Sequence, residues 1–88
     1  MKEFRTERLP LAIFLHATGR LRFLACEPNG GGRVRFIFDD PGGEGTQAEF
    51  EFDRGAQVSA SALFASQKYL RRSMDTQKLG ASEHAHAH

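Results

Sequence analysis

The chain lacks tryptophan altogether and holds one tyrosine, one cysteine and three prolines in 88 residues. A single cysteine, Cys26, excludes an internal disulfide. It fits a reducing compartment, and a cytoplasmic location is the expectation. No apolar run approaches the roughly 20 residues of a membrane-spanning helix, so no membrane partner is expected. The opening Met1-Lys2-Glu3-Phe4-Arg5 is charged where a secretory signal would be apolar. An excess of one charge is missing too: 12 Lys and Arg face 11 Asp and Glu, for a formal charge of +1. Nucleic-acid binding would therefore have to come from local clustering of basic residues.

Eight phenylalanines are present and can build a core without disulfides. A chain of this length makes one domain, which buries roughly 60–65% of the surface its unfolded form exposes. That domain is expected to span residues 1–79. Residues 80–88 end in His84-Ala85-His86-Ala87-His88. Closely spaced imidazoles can share a divalent ion, but a purification tag or disordered tail is the simpler reading.

Thr6 to Thr18 reads as the first helix. Thr6 is a candidate N-cap, Glu7 suits the positive end of the dipole, and Pro10 is tolerated within the first turn. Leu9, Ala12, Ile13 and His16 recur at helical spacing, with Leu11, Phe14 and Leu15 widening the stripe. Gly19 follows as a left-handed terminator. Two strands are expected next, Leu21–Glu27 and Arg33–Asp39, joined through Pro28-Asn29-Gly30-Gly31-Gly32 as an antiparallel hairpin. If Glu27 pairs with Arg33, Leu24 and Cys26 share a face with Val34, Phe36 and Phe38. Leu21, Phe23, Ala25, Arg35 and Ile37 then take the other, and a slip of one residue would exchange the two.

A loop over Asp39–Gly45 follows. Thr46–Asp53 alternates apolar and charged residues as a strand does, yet Ala48 and Phe52 also stand one helical turn apart. Both readings remain open on the residues alone. After a turn at Arg54–Gln57, the last helix runs over Val58–Met74, with Ser59 or Ser61 as N-cap and Leu63, Phe64, Leu70 and Met74 as its apolar face. The fold class is thus α+β: a helix, an antiparallel hairpin, a short helix or third strand, and a C-terminal helix.

Thr6-Glu7-Arg8-Leu9-Pro10-Leu11-Ala12-Ile13-Phe14-Leu15-His16-Ala17-Thr18-Gly19 resembles the opening of a family of short prokaryotic and phage proteins whose domain has no assigned function. Val34-Arg35-Phe36-Ile37-Phe38-Asp39-Asp40-Pro41 is similar to that family's second hairpin strand, and Val58–Met74 to its closing helix with the Leu70-Arg71-Arg72 ending. The resemblance covers residues 4–75. It implies a helix over Thr46–Asp53 and carries no catalytic residue.

Candidate chemistry is sparse. His16 on an apolar helical stripe is expected to be a hydrogen-bonded packing residue, and Cys26 a small buried hydrophobe. Asp39, Asp40 and Glu44 form a weak candidate for a cation, because adjacent strand residues point to opposite faces; an acidic pair before Pro-Gly-Gly more simply starts a turn. Gly30–Gly32 and the glycines around Glu44 match no phosphate-loop fingerprint. No metal set, nucleophile–base pair or cofactor motif is visible, so no enzyme activity and no cofactor are expected. The first functional expectation is an interaction module that self-associates or docks a protein partner through Leu21, Phe23 and Ile37 of the hairpin. The alternative is nucleic-acid binding through Arg33, Arg35, Lys68, Arg71 and Arg72, against which Glu27, Asp39 and Asp40 would neutralise the hairpin arginines.

Overall fold

The computed structural model describes residues 2–86, with side chains described through Thr76. The element order is β1 (Glu3–Thr6), α1 (Leu9–Thr18), β2 (Arg22–Pro28), β3 (Val34–Asp39), α2 (Gly45–Asp53) and α3 (Ala60–His86). The domain is α+β, as the sequence indicates. α3 continues past Met74, the expected end of the last helix, to His86, and of the segment 80–88 expected as a disordered tail or tag, residues 87–88 lie outside the described residues.

The element absent from the sequence reading is β1. Its four residues are too few to show a period, and their partners lie thirty or more residues away: Phe4 stands opposite Phe38 and Thr6 opposite Phe36. Thr6 is therefore the last residue of a strand and not a helix cap. Its Oγ1 accepts the Arg8 backbone N–H at 3.0 Å, which turns the chain into α1. The helix begins at Leu9 with Pro10 inside its first turn, where no intrahelical donor is lost. It ends at Gly19, whose φ of 69° is the left-handed conformation expected there.

The sheet has the order β1-β3-β2, with both pairings antiparallel. Glu27 faces Arg35 instead of Arg33, and the register shifts between Phe23 and Ala25, leaving Leu24 in a β-bulge. This shift corrects the expected division of faces. Phe23 lies opposite Phe38 and Cys26 opposite Phe36, so both join Val34, Phe36, Phe38, Phe4 and Thr6 on one face. Against that face pack Leu11, Leu15 and Phe14 of α1, Leu70 of α3, and Leu21 from the turn before β2. Full burial of a Phe or Leu of this kind contributes about 1.5–3 kcal/mol, so Phe36, Phe38, Leu11, Leu15 and Leu70 dominate the core.

The opposite face is charged. Glu3, Arg5, Arg22, Glu27, Arg35 and Asp39 surround Ala25 and Ile37. Arg5 pairs with Glu3 at 2.8 Å and Glu27 at 3.7 Å, and Arg35 reaches Glu27 at 3.3 Å. Ile37 is buried in the midst of these long side chains, whose aliphatic stems can cover it.

Thr46–Asp53 belongs to a helix, and Asp40 shows why. This buried residue directs Oδ1 at the Glu44 N–H (2.6 Å) and Oδ2 at the Gly45 N–H (2.8 Å), capping α2 from outside the helix. Ala48 and Phe52 then turn inward together, and the Phe52 ring meets Phe14 at 5.2 Å. Phe50 stays exposed beneath the Arg54 guanidinium. Arg8 bonds both Glu49 and Asp53 at 2.8 Å, and Arg20 bonds Glu51 at 2.7 Å, so both ends of α1 are tied to α2. The Arg8 hydrogen bond also holds the Asp53 carboxyl below its ordinary pKa. In α3, Ser59 is the N-cap, its Oγ accepting the Ala62 N–H at 3.2 Å. Phe64 points outward, contrary to the apolar face expected for it, while Leu70 is fully buried.

Two predictions follow from the junction at α2. A Cβ on Gly45 would lie 2.3 Å from Cδ1 and 2.8 Å from Cβ of Phe4, so Gly45→Ala forces β1 and α2 apart. A loss of about 1–3 kcal/mol is expected in urea unfolding. Asp40→Ala strands two helix N–H groups, and a loss of about 1–2 kcal/mol is expected by the same measurement.

Candidate functional site

The residues singled out from the sequence fall in separate places. Leu21 is buried in the core, Phe23 is half-buried on the helix-covered face, and Ile37 is buried on the charged face. They form no common exposed surface, because the bulge at Leu24 turns Phe23 inward. Arg33 and Arg35 meet carboxylates, Arg33 with Glu7 at 3.6 Å and Arg35 with Glu27 at 3.3 Å. Lys68, Arg71 and Arg72 lie exposed on α3, with no carboxylate partner among the described residues.

His16 is a packing residue in geometry as well as in sequence. Its Nδ1 lies 2.7 Å from the Ser66 hydroxyl, and its ring stacks on Tyr69 at 4.8 Å. Ser66 is buried between α1 and α3, where no substrate could reach it as a nucleophile. Burial pushes the His16 pKa below its ordinary value, and burial pushes the Cys26 thiol up. A raised thiol pKa is the opposite of what a nucleophilic cysteine needs. No group of three or more His, Cys, Asp or Glu suited to a metal occurs among the described residues. Asp40 spends both carboxylate oxygens on backbone N–H groups, so the acidic pair serves the turn.

A different feature gathers exposed groups. In the β1-β3-β2 order, β2 is an edge strand, and α3 passes beside it. Between them runs a groove of about 540 Å³. One wall is Phe23, Leu24, Ala25 and Cys26, consecutive residues of β2. Side chains that alternate between two faces can line one groove together only where it follows the strand's edge. The other wall is Tyr69, Arg72, Ser73 and Thr76 of α3. Their spacing of three, four and seven residues places them on a single helix face. Tyr69 is 51% exposed and Leu24 39%. The Tyr69 ring is held from below by His16 and from the side by Phe23, at 5.9 Å.

Sequence reasoning missed this wall. Nothing in the local sequence singles out Tyr69, the lone tyrosine, and Arg72 is marked only as part of a basic cluster. The helical spacing of Tyr69, Arg72, Ser73 and Thr76 was legible, but nothing local says that a strand edge lies beside it. A second groove of about 470 Å³, between α1, α2 and α3, is lined by Leu9, Ile13, Phe52, Leu63 and Phe64. It has no strand edge to offer a partner's backbone.

No protein-family model, no curated protein and no solved structure matches the chain. No described helix is long and apolar enough to cross a membrane.

The His16 environment predicts a pH dependence. A histidine whose folded pKa lies below 6.5 opposes protonation of the folded state. Its stabilising contribution is complete above pH 6.5 and is lost as pH falls through the folded pKa. Melting temperatures of the wild type and His16→Gln, measured from pH 8 to 5, should diverge at high pH and converge at low pH. Both proteins keep the tail histidines, so parallel curves would show that His16 is not the titrating group.

Proposed function

We propose that this protein is a non-enzymatic interaction module that docks a partner protein through its hairpin, with an extended segment of the partner laid along the free edge of β2. The observation that carries this reading is the coincidence of an edge strand with an exposed groove under a helix. A strand edge offers unpaired backbone N–H and C=O groups, and an added segment gains affinity by satisfying them. The flanking helix adds side-chain contacts that a bare edge lacks. The bulge at Leu24 interrupts the regular ladder, which discourages long edge-to-edge pairing while leaving room for a short segment.

This reading keeps the hairpin as the docking element but moves its contacts to Leu24, Ala25, Tyr69 and Arg72. The second face of the sheet carries ion pairs and offers no apolar surface to a partner.

A second reading is nucleic-acid binding by an accessory protein of prokaryotic or phage origin. It is favoured by Lys68, Arg71 and Arg72, which face solvent without carboxylate partners among the described residues. The hairpin arginines contribute little to it, since Arg33 and Arg35 are paired.

Selection of a displayed random-peptide library on the wild-type protein tests the first reading. Selected peptides should shift amide resonances of residues 23–26 and 69–76. They should lose at least roughly tenfold in affinity on Leu24→Asp or Tyr69→Asp, a loss fitting one well-placed contact. Shifts elsewhere, or affinity unchanged in both variants, would overturn it. Binding to mixed DNA that falls steeply with salt and is lost on replacing Arg71 and Arg72 would establish the second reading instead.

A further inference from the structure

The groove is chemically lopsided. Its strand wall supplies Phe23, Leu24 and Ala25, which are apolar, while its helix wall supplies hydrogen-bond donors. Among the described residues, the Tyr69 hydroxyl, the Arg72 guanidinium and the Thr76 hydroxyl have no partner, and no carboxylate lines the groove. Ser73 alone is engaged, its hydroxyl donating to the Tyr69 carbonyl at 3.2 Å. One unneutralised cation beside free hydroxyls, facing an apolar wall, is a site for a carboxylate with an apolar neighbour.

The spacing of that neighbour is set by the two elements. Phe23 meets Tyr69, and the Cys26 thiol reaches the Ser73 carbonyl at 3.6 Å, so α3 and β2 run side by side in the same direction. Helical rise separates Tyr69 from Arg72 by about 4.5 Å and from Ser73 by about 6 Å along the axis. In an extended segment, side chains on one face recur every two residues, or about 6.8 Å. One such side chain can therefore lie on Tyr69 and Leu24 while the next on the same face reaches Arg72.

Resting on the docking reading above, we infer that the partner segment is an extended acidic peptide, with an apolar side chain against Tyr69 and Leu24 and a carboxylate two residues away held by Arg72. A bidentate guanidinium–carboxylate contact would supply specificity, and the strand edge would supply the backbone bonds.

The test uses synthetic heptapeptides of alternating threonine that carry one phenylalanine and, two residues away, glutamate, glutamine or lysine, made in both orders. The full-length protein is titrated with each, and binding is followed by amide shifts and fluorescence polarisation. The glutamate peptide should bind in the groove roughly tenfold more tightly than the glutamine peptide, as a charge-assisted bond exceeds a neutral one. Arg72→Glu should abolish that preference and transfer it to the lysine peptide. Arg72→Gln, a milder change, should equalise glutamate and glutamine even if the charge reversal fails to fold. Arg71→Glu makes the same charge change outside the groove and should leave the preference intact. If all three peptides shift groove resonances with equal affinity, the acidic specificity is wrong while the docking site stands. If no peptide shifts the groove resonances, the docking reading falls as well.

Discussion

Everything in this domain depends on β3 being paired along both edges. Its Phe36 and Phe38 are among the most deeply buried side chains, and they are enclosed because β1 and β2 flank them and α1 and α3 cover them. A hairpin of β2 and β3 alone would be marginal in water. The four residues of β1 complete the sheet, place Phe4 opposite Phe38 and carry the chain into α1. The ladder continues one step further, where the Asp40 N–H donates to the Lys2 carbonyl at 3.0 Å. The terminal strand thus guides the exit from β3 as well as the entry to α1.

Asp40 links that sheet to the helices. Its backbone ends the β1–β3 ladder, and its carboxylate caps α2. Gly45, at the first turn of α2, has no side chain because the Phe4 ring occupies that space. Strand, turn and helix are therefore interlocked within a few residues. The outer ion pairs are different in kind: they are solvated and contribute little stability individually. Their consequence is to keep one face of the sheet polar, while the β2 edge brings apolar side chains beside an exposed groove.

The bulge at Leu24 joins fold to function. It moves Phe23 to the covered face, where the ring supports Phe38 and Tyr69, and leaves Leu24 partly exposed beside the groove. His16 contributes from below by stacking on Tyr69 while bonding Ser66. The groove's aromatic wall is consequently built on packed core residues, which lowers the cost of ordering it when a partner binds.

Much of the architecture was legible in local sequence. The stripe from Leu9 to His16 and Gly19 marked α1, alternation over Val34–Phe38 marked β3, and Ser59 marked the start of α3. Those signals are properties of neighbouring residues, set by periodicity and by which side chains can cap or turn a chain. The helical character of α2 was half legible, since its residues fit two periods and Asp40, outside the segment, favours one. What only the tertiary structure decided were pairings across distance: that Glu3–Thr6 is a strand, that a bulge reverses the face of Phe23, and that β2 remains an edge. A two-stranded hairpin has two free edges with nothing local to distinguish them. β1 closes the one on β3, and α3 comes to rest beside the other, because burying Phe36 and Phe38 requires both.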